Sequence, residues 1–242
     1  MFLANITHDI RTPLNGIVGM STLLGEVGSL NDQQQAYLGV LHNCVAQLMD
    51  LINDIHDYSR LSSRRLSLNV EDFGLEKITT KAMDIIRAKA ISKGLDLLYE
   101  IASDCPRIIV GDGKRLCQVL VNLLANAVKF TERGKVILKI SSDMEVEREN
   151  KKFYTLRFEV SDTGVGIAKE NLIKIFDQFE QLNVGTQKGG TGLGLSIAKE
   201  IIKLMNGEVW AESKGVGKGS IFIFTIPTQE VIDIDHILHE NS

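Results

Sequence analysis

Four short stretches of the chain combine residue types that could bind and transfer phosphate. The first contains His8, which is followed directly by Asp9 in the run H-D-I-R-T-P. A neighbouring carboxylate can hold an imidazole as the neutral tautomer with one free ring nitrogen, which a nucleophile requires. Pro13 should loosen the surrounding helix. We therefore interpret His8 as a candidate nucleophile, although a lone histidine in a helix is more often an ordinary surface residue.

The second stretch places two amides and one ammonium along a helix. Asn122 and Asn126 are four residues apart, so they share one helix face, and Lys129 follows three residues later. Amide oxygens suit a hard cation such as Mg²⁺, and a lysine ammonium complements phosphate. This face could hold a metal-nucleotide, but an isolated asparagine pair more often caps a helix or faces solvent.

The third and fourth stretches are glycine-rich turns. In the first, Asp162 ends a predicted strand and is followed by Gly164 and Gly166. Glycine permits positive φ and close approach to a flat ligand, and a carboxylate can accept from an exocyclic amine such as that of adenine. The second turn, G-G-T-G-L-G-L at 189–195, enters a helix whose N-terminus can seat an anion. Neither turn matches G-x-x-x-x-G-K-[ST], which excludes the P-loop class by motif.

Two long amphipathic helices are predicted before these turns. Residues 25–30 should separate the helices, and Asn31 with Gln34 is a candidate N-terminal capping pair. An antiparallel hairpin with one apolar seam cannot bury that seam alone, so we expect a homodimer that forms a four-helix bundle. The seam residues of the two helices recur at spacings of three and four: Leu3, Ile6, Ile10, Pro13, Ile17, Met20 and Leu24 in the first, and Leu38, Leu41, Val45, Leu48, Ile52 and Ile55 in the second.

The remainder of the chain is predicted to be an α/β domain. Alternation of Leu66, Leu68 and Val70 predicts a strand just after a boundary near residue 64. Mixed elements follow, with helices at 75–93, 114–130 and 192–205. Strands are expected at 95–101, 136–141 and 154–160, with two more closing strands that end at residue 227. We expect domains at 1–64 and 65–228, and a tail or linker at 229–242.

Composition and charge narrow the range of functions. The 242 residues are 44% apolar and 24% charged, as in folded globular proteins. The formal net charge of −4 provides no chain-wide positive field for nucleic acid or an anionic membrane, and no apolar run reaches the roughly 20 residues of a membrane-spanning helix. Three cysteines without a C-x-x-C pair argue against a disulfide framework or a zinc site. We therefore expect a cytoplasmic setting, with no nucleic-acid partner and no membrane contact in this segment.

Taken together and in order, the motifs resemble the transmitter core of two-component sensor histidine kinases, from residue 2 to about residue 227. Five ordered motifs at ordinary family spacing make coincidence negligible, and G-I-V-G-M-S at 16–21 is most similar to the hybrid sensor kinases. The motifs are FLANITHDIRTPLNGI at 2–17, NLLANAVKFT at 122–131, DTGVGI at 162–167, IFDQF at 175–179 and GGTGLGL at 189–195, and a third glycine turn, GVGKGS, lies at 215–220.

The resemblance implies an α + α/β architecture. A helical hairpin would form the dimeric four-helix bundle, followed by an α/β sandwich ATP-binding domain of the histidine kinase, chaperone and gyrase type. It also implies an activity: ATP-dependent autophosphorylation of His8, then phosphoryl transfer to an aspartate on a response-regulator receiver domain. Asp9 matches the acidic residue that orients the ring and acts as general base. Thr12 matches the polar residue that positions water for a phosphatase activity.

The same resemblance assigns a nucleotide site for ATP and Mg²⁺. Asn126 looks like the Mg²⁺ ligand, and Asp162 matches the carboxylate that reads adenine. Asn122 and Lys129 would lie near the phosphates and Phe130 near the nucleotide. The remaining implied residues belong to the glycine turns and a lid at about 180–189: Gly164 and Gly166 beneath the base, Gly190, Gly192 and Gly194 as the lid anchor, and Lys188, which could reach the γ-phosphate.

Two alternatives remain open from the sequence. The first is an ATP-hydrolysing conformational machine on the same fold, as in the related chaperone, gyrase and mismatch-repair families. Those families carry Glu at the position of Asn122 to activate water, whereas an amide cannot take a proton from water. The second is a dimer that binds ATP and acts as a phosphatase or scaffold without autophosphorylation.

Few residues precede His8, so we expect either an excised core or a shortened natural protein, or the cytoplasmic portion of a membrane-anchored sensor. The acceptor aspartate should then lie on another chain or in a part outside this sequence.

Overall fold

The chain divides into two compact units, the first mainly helical and the second α/β. The computed structural model describes residues 14, 16–25, 30–62, 67–148, 151–178, 180 and 192–231. In the first unit, residues 16–25 form helix α1 and Asp32–Ser62 form helix α2. The predicted pair of long helices is therefore present over the described residues.

The start of α2 carries the predicted cap. Asn31 Oδ1 accepts a hydrogen bond from the Gln34 backbone N–H at 2.8 Å, and Gln34 Oε1 accepts from the Asn31 N–H at 2.9 Å. This reciprocal pair satisfies two amides that have no partner within a helix. Asn31 and Gln34 thus fix where the second helix begins.

One part of the predicted apolar seam of the hairpin is buried in the single chain, and another part is exposed. Leu14, Val45 and Ile52 are buried together, with Met49 packed against them. By contrast, Met20 and Leu24 of α1 are 69% and 61% exposed in the single chain. The hairpin therefore buries only part of its apolar surface by itself.

The second unit contains seven strands and three α-helices among the described residues. Two short 3₁₀ turns, Lys169–Asn171 and Lys174–Phe176, precede the last helix. The elements are β1 Glu71–Gly74, α3 Leu75–Ser92, β2 Asp96–Ile101, β3 Ile108–Gly111, α4 Gly113–Phe130, β4 Lys135–Arg148, β5 Lys151–Asp162, α5 Gly194–Leu204, β6 Glu208–Glu212 and β7 Ser220–Gln229.

The larger sheet has five strands in the order β2-β4-β5-β7-β6, and the three helices pack against it. Among the described strands, only the β2–β4 pair is parallel, and β1 and β3 form a separate antiparallel pair. Alternate residues of β5 are buried, which gives the sheet one covered face. Phe158 of β5 stacks on Phe224 of β7 with centroids 4.4 Å apart. The helical hairpin and the two-layer α/β sandwich confirm the predicted fold class.

Some boundaries differ from the prediction. The strand expected at Leu66–Val70 is wrong over its described part: residues 67–70 have no regular structure and β1 begins at Glu71, while residue 66 lies outside the described residues. The Asn69 N–H donates to the Asp112 carboxylate at 2.9 Å rather than to a strand partner. Strand β3 was not predicted. At the other end, β7 runs past residue 228, and Glu230 still bridges to Ile109.

Among the described residues, no helix combines the length and the apolar character that a membrane span needs.

Candidate functional site

The carboxylate of Asp162 lies buried at the end of β5, with only 8% of the residue exposed. Its Oδ1 accepts a hydrogen bond from the Gly164 N–H at 2.8 Å, and its Oδ2 accepts from the Ser220 hydroxyl at 2.6 Å. Burial raises the pKa of this carboxyl, although these two hydrogen bonds and one from the Ser220 backbone N–H act to lower it. The bonds orient the carboxylate, whose two oxygens together can accept more than three donors.

The glycines around Asp162 are required by contacts within the protein. A Cβ on Gly164 would lie 2.3 Å from the Phe130 carbonyl oxygen, and one on Gly219 would lie 2.1 Å from the Asp162 carbonyl oxygen. Gly166 has φ of +67°, and a Cβ there would lie 2.2 Å from the Gly215 carbonyl oxygen. These close backbone approaches pack the first and third glycine turns against each other. Packing within the protein therefore requires glycine at 164 and 166, independently of the ligand role that the sequence predicts for them.

Helix α4 carries the predicted amide and ammonium groups. The Asp112 carboxylate caps its start by accepting from the Arg115 N–H at 3.0 Å. Asn122 and Asn126 are half-buried on a common face, one helical turn apart. Asn122 Nδ2 donates to the Gly194 carbonyl at 3.1 Å, and Gly194 is the first residue of α5. Asn122 therefore joins α4 to the N-terminal end of α5.

The C-terminal end of α4 meets the first glycine turn. The Phe130 carbonyl accepts a hydrogen bond from the Val165 N–H at 3.2 Å. Lys129 is half-buried, and its ammonium lies 4.8 Å from the centroid of the Phe130 ring. Its pKa is lowered mainly by loss of solvent, and further by the positive charges of Lys89 and Lys93. A weakly solvated ammonium in this position is suited to an anionic ligand.

The structure brings together only part of the predicted site. Its described portion places Asn122, Phe130, Asp162, Gly164 and Gly194 in one continuous set of contacts around α4. Gly192 is described by its left-handed backbone angle, φ of 68°. Five predicted site residues lie outside the described residues: His8, Asp9, Thr12, Lys188 and Gly190.

Sequence reasoning missed the role of Ser220. Its motif, the third glycine turn at 215–220, was matched, but no residue in it was assigned a function. In the structure, Ser220 is buried and is the closest hydrogen-bond donor to Asp162. The feature of the sequence that could have identified it is a hydroxyl residue directly after Gly219, at the start of a closing strand. In the structure, Gly219 has φ of +70°.

Comparisons with known proteins agree with this arrangement. Residues 1–64 match the family model of the His Kinase A (phospho-acceptor) domain. Residues 111–230 match the model of the histidine kinase-, DNA gyrase B- and HSP90-like ATPases. The second match contains α4, the Asp162 turn and the third glycine turn. Both halves of the chain therefore correspond to known domains.

Individual relatives cover most of the chain. It is 36% identical over 229 residues, 94% of its length, to hybrid signal transduction histidine kinase B of Dictyostelium discoideum, but it spans only 11% of that relative. ShkA, crystallised at full length in complex with AMPPNP, is 33% identical with a TM-score of 0.77, over 95% of this chain and 46% of ShkA.

A shorter solved structure is covered over almost its whole length by this chain. The catalytic domain of histidine kinase ThkA is 30% identical with a TM-score of 0.54, over 67% of this chain and 96% of that domain. The two family models match residues in both units of the structure, and the ThkA match supports the same family. The chain therefore belongs to the histidine kinase family, and it carries a phospho-acceptor domain followed by an ATP-binding catalytic domain.

Proposed function

We propose that this chain transfers the γ-phosphate of ATP to His8 and then passes the phosphoryl group to an aspartate of a response-regulator receiver domain. The observation that carries the proposal is the buried Asp162 carboxylate, oriented by Gly164 and Ser220 next to the end of α4. An oriented carboxylate accepts from the exocyclic amine of adenine, whereas guanine presents a carbonyl oxygen at the equivalent position. The site should therefore select ATP over GTP.

The phosphates of ATP would lie toward α5 and Lys129. Backbone N–H groups at the N-terminus of α5 favour an anion, and Asn122 holds that terminus through the Gly194 carbonyl. The Lys129 ammonium, three residues beyond Asn126, lies 4.8 Å from the centroid of the Phe130 ring. Phe130 supplies apolar surface for the nucleotide, and Lys188, Gly190 and Gly192 remain assigned to the lid and its anchor from the sequence alone.

A Mg²⁺ ion fits the donor chemistry of α4. Asn126 offers a neutral amide oxygen on the same face as Asn122, and Mg²⁺ is commonly held by one or two protein oxygens together with substrate phosphates. When bound, the ion neutralises charge on the transferring phosphate. Asn126 would hold it, and Lys129 would balance the remaining phosphate charge.

The chemical step requires a neutral imidazole. His8 Nε2 attacks the γ-phosphorus as the bond to the β–γ bridging oxygen breaks, which releases ADP. Asp9 holds the Nδ1 proton and stabilises the positive charge that forms on the ring. The phosphohistidine then donates its phosphoryl group to a receiver aspartate, which restores the neutral imidazole. Thr12 would position water when the chain acts as a phosphatase.

We further propose that the chain works as a cytoplasmic homodimer. The apolar stripe of α1 that remains exposed in the single chain supports dimerisation through a four-helix bundle. The three cysteines are free thiols, which suits a reducing compartment. The receiver domain is the partner that the phosphohistidine chemistry requires.

Nucleotide selectivity tests the site directly. Equilibrium binding of ATP and GTP to the full chain should favour ATP, and Asp162→Asn should reduce that preference. Equal binding of the two nucleotides by the unmodified chain would contradict the assignment of Asp162.

The metal assignment has its own test. Asn126→Asp adds a negative charge beside the phosphates, and a like charge about 4 Å away costs several kcal/mol at protein-surface dielectric. Mg²⁺-ATP-dependent phosphorylation should fall about a hundredfold or more. Asn206→Asp, the same change at an exposed asparagine after α5, is the matched control. Full activity in Asn126→Asp would rule out Asn126 as the metal ligand.

A further inference from the structure

The side chain of Lys93 binds the end of the ATP-site helix. Its ammonium donates to the carbonyl oxygens of Val128 and Lys129, each at 2.8 Å, and to that of Thr131 at 3.2 Å. Lys93 lies more than thirty residues earlier in the sequence, directly after α3. One half-buried cation therefore satisfies three acceptors where α4 stops.

The other terminal carbonyls of α4 also have partners. The Ala127 carbonyl accepts from the Thr131 hydroxyl at 2.7 Å. The Phe130 carbonyl accepts from the Val165 N–H in the Asp162 turn. The last four carbonyls of a helix have no partner within the helix, and here each has one outside the helical ladder. The Lys93 ammonium supplies two of the four, and its charge also complements the negative end of the helix dipole.

The backbone around Lys93 is fixed by a Schellman motif. The Gly94 N–H donates to the Ile91 carbonyl at 2.9 Å, and the Leu95 N–H donates to the Ala90 carbonyl at 3.0 Å. Gly94 has φ of +65°, the left-handed conformation that this motif requires. Lys93 is the residue just before that glycine, so its side chain leaves from a well-defined position.

A second contact holds the same turn against the residues that follow α4. The Asp96 N–H donates to the Gly134 carbonyl at 3.0 Å. The end of α3 and the loop after α4 are thus joined by both backbone and side-chain bonds. Lys93 has a defined geometry rather than a loose surface position.

We propose that Lys93 is a positioning residue for ATP: by closing the last turn of α4, it holds the Phe130 carbonyl in place for the turn that carries Asp162. The proposal rests on the assignment of ATP to this site. The contacts run from Lys93 to the end of α4, from Phe130 to Val165, and from Gly164 to the Asp162 carboxylate. Lys93 itself does not need to touch the nucleotide.

The expected change in the Kd for ATP depends on the fraction of molecules in which the last turn of α4 is formed. Affinity falls in proportion to the fraction of molecules in the binding-competent state. If removal of the ammonium leaves the last turn formed in about one molecule in ten, the Kd for ATP rises about tenfold. Lys93→Met keeps most of the apolar stem and removes the donors. The Val165 amide, which bonds to Phe130, should then exchange its hydrogen faster.

Lys89→Met provides a matched control. Lys89 lies in the last turn of α3, and its charge, like that of Lys93, lowers the pKa of Lys129. Both substitutions therefore remove a positive charge near Lys129. In the described structure, the ammonium that donates to the Val128 and Lys129 carbonyls is that of Lys93. A difference between the two variants reports on those contacts rather than on charge alone.

The test combines three measurements on the full chain: the Kd for ATP, hydrogen exchange at the Val165 amide, and the KM and kcat for ATP in autophosphorylation. For Lys93→Met, we expect the Kd and KM to rise about tenfold, with a smaller change in kcat and faster Val165 exchange. Lys89→Met should match the unmodified chain in all three. A role confined to overall stability would lower the unfolding temperature without changing the Kd of the folded protein.

Several results would contradict a positioning role for Lys93. Unchanged Kd and Val165 exchange in Lys93→Met, or equal loss in Lys89→Met, would each refute it. If Lys93→Met does not fold, Lys93→Gln retains two amide donors, and its Kd should rise by a smaller factor; no rise would refute the proposal. Absence of autophosphorylation in the unmodified chain would instead count against the proposed function, because binding and exchange are measured independently of catalysis.

Discussion

The hydroxyl of Ser220 donates to Asp162 Oδ2 at 2.6 Å, although 58 residues separate the two in the sequence. Ser220 begins β7, and Asp162 ends β5, its antiparallel neighbour in the sheet. The pair lies side by side in the strand register, so the hydrogen bond is a consequence of sheet pairing. A buried carboxylate is thereby kept oriented where the adenine base is expected.

Removal of this hydroxyl should weaken ATP binding. Ser220→Ala leaves the buried carboxylate with fewer donors, and an unsatisfied buried group costs about 1–3 kcal/mol. We expect the Kd for ATP to rise about tenfold and the pKa of Asp162 to rise further above its ordinary value. Calorimetric titration with ATP measures the first effect. Ser220→Thr, which keeps the hydroxyl, should bind nearly as the unmodified chain, and full affinity in Ser220→Ala would dismiss the role.

The pH dependence of stability should reflect Asp162. Because burial raises the folded-state pKa of this carboxyl, the folded chain holds its proton more tightly than the unfolded chain. The associated stability is complete below the ordinary value of 3.8 and is lost as pH rises through the folded pKa. Asp162→Asn removes this dependence. The unfolding temperature of the variant minus that of the unmodified chain should therefore increase from acidic to neutral pH.

Fluorescence of Trp210, the single tryptophan of the chain and a residue of β6, reports on the unfolding of the α/β unit. The informative quantity is the difference between the two proteins at each pH, since other carboxylates titrate in both. A difference that stays constant from acidic to neutral pH would show that Asp162 carries no such linkage.

Glycine at position 164 is expected to be indispensable for packing. A Cβ on Gly164 would lie 2.3 Å from the Phe130 carbonyl oxygen and 2.9 Å from Asp162 Oδ1. Gly164→Ala should therefore destabilise the α/β unit by about 1–3 kcal/mol and weaken ATP binding. Gly111→Ala is the control, because its Cβ would make an ordinary contact of 3.4 Å with the Phe73 ring. Urea unfolding curves of the two variants that coincide would contradict the steric argument.

The exposed stripe on α1 predicts the oligomeric state. Met20 is 69% exposed in the single chain, and a dimer would bury it. Met20→Glu would then place an unpaired charge in an apolar interface at a cost of about 3–5 kcal/mol, which should weaken dimerisation at least a hundredfold. Thr22→Glu adds the same charge to an exposed position off the stripe.

Sedimentation measures the outcome. The unmodified chain and Thr22→Glu should be dimers at micromolar concentration, whereas Met20→Glu should be a monomer. A monomeric unmodified chain at that concentration would refute the bundle.

Local patterns were sufficient to predict much of the fold. Helices α3 and α4 have strong apolar periodicity, and the structure begins and ends them within a residue of the expected positions. The short strand β3 was missed because four residues, I-I-V-G, are too few to show a period. The strand predicted at Leu66–Val70 failed because alternation cannot reveal that the Asn69 N–H binds a side chain, Asp112, instead of a neighbouring strand.

The site was predictable where a motif was contiguous and less so where contacts are distant in sequence. The Asp162 turn and the Asn122 helix could be read directly. The bonds of Ser220 to Asp162 and of Lys93 to the end of α4 depend on tertiary placement, which no local window contains. Gly164 has a further requirement that depends on tertiary packing, because a Cβ there would meet the Phe130 backbone.

The most direct test of the account is transfer of labelled γ-phosphate from ATP with Mg²⁺ to the purified chain, with His8→Gln as the control. The account predicts a label that is lost in acid, survives alkali and is absent from His8→Gln. A label that survives acid or persists in His8→Gln would contradict His8 as the acceptor. No label despite measurable ATP binding would contradict the kinase activity and favour an ATP-binding phosphatase or scaffold.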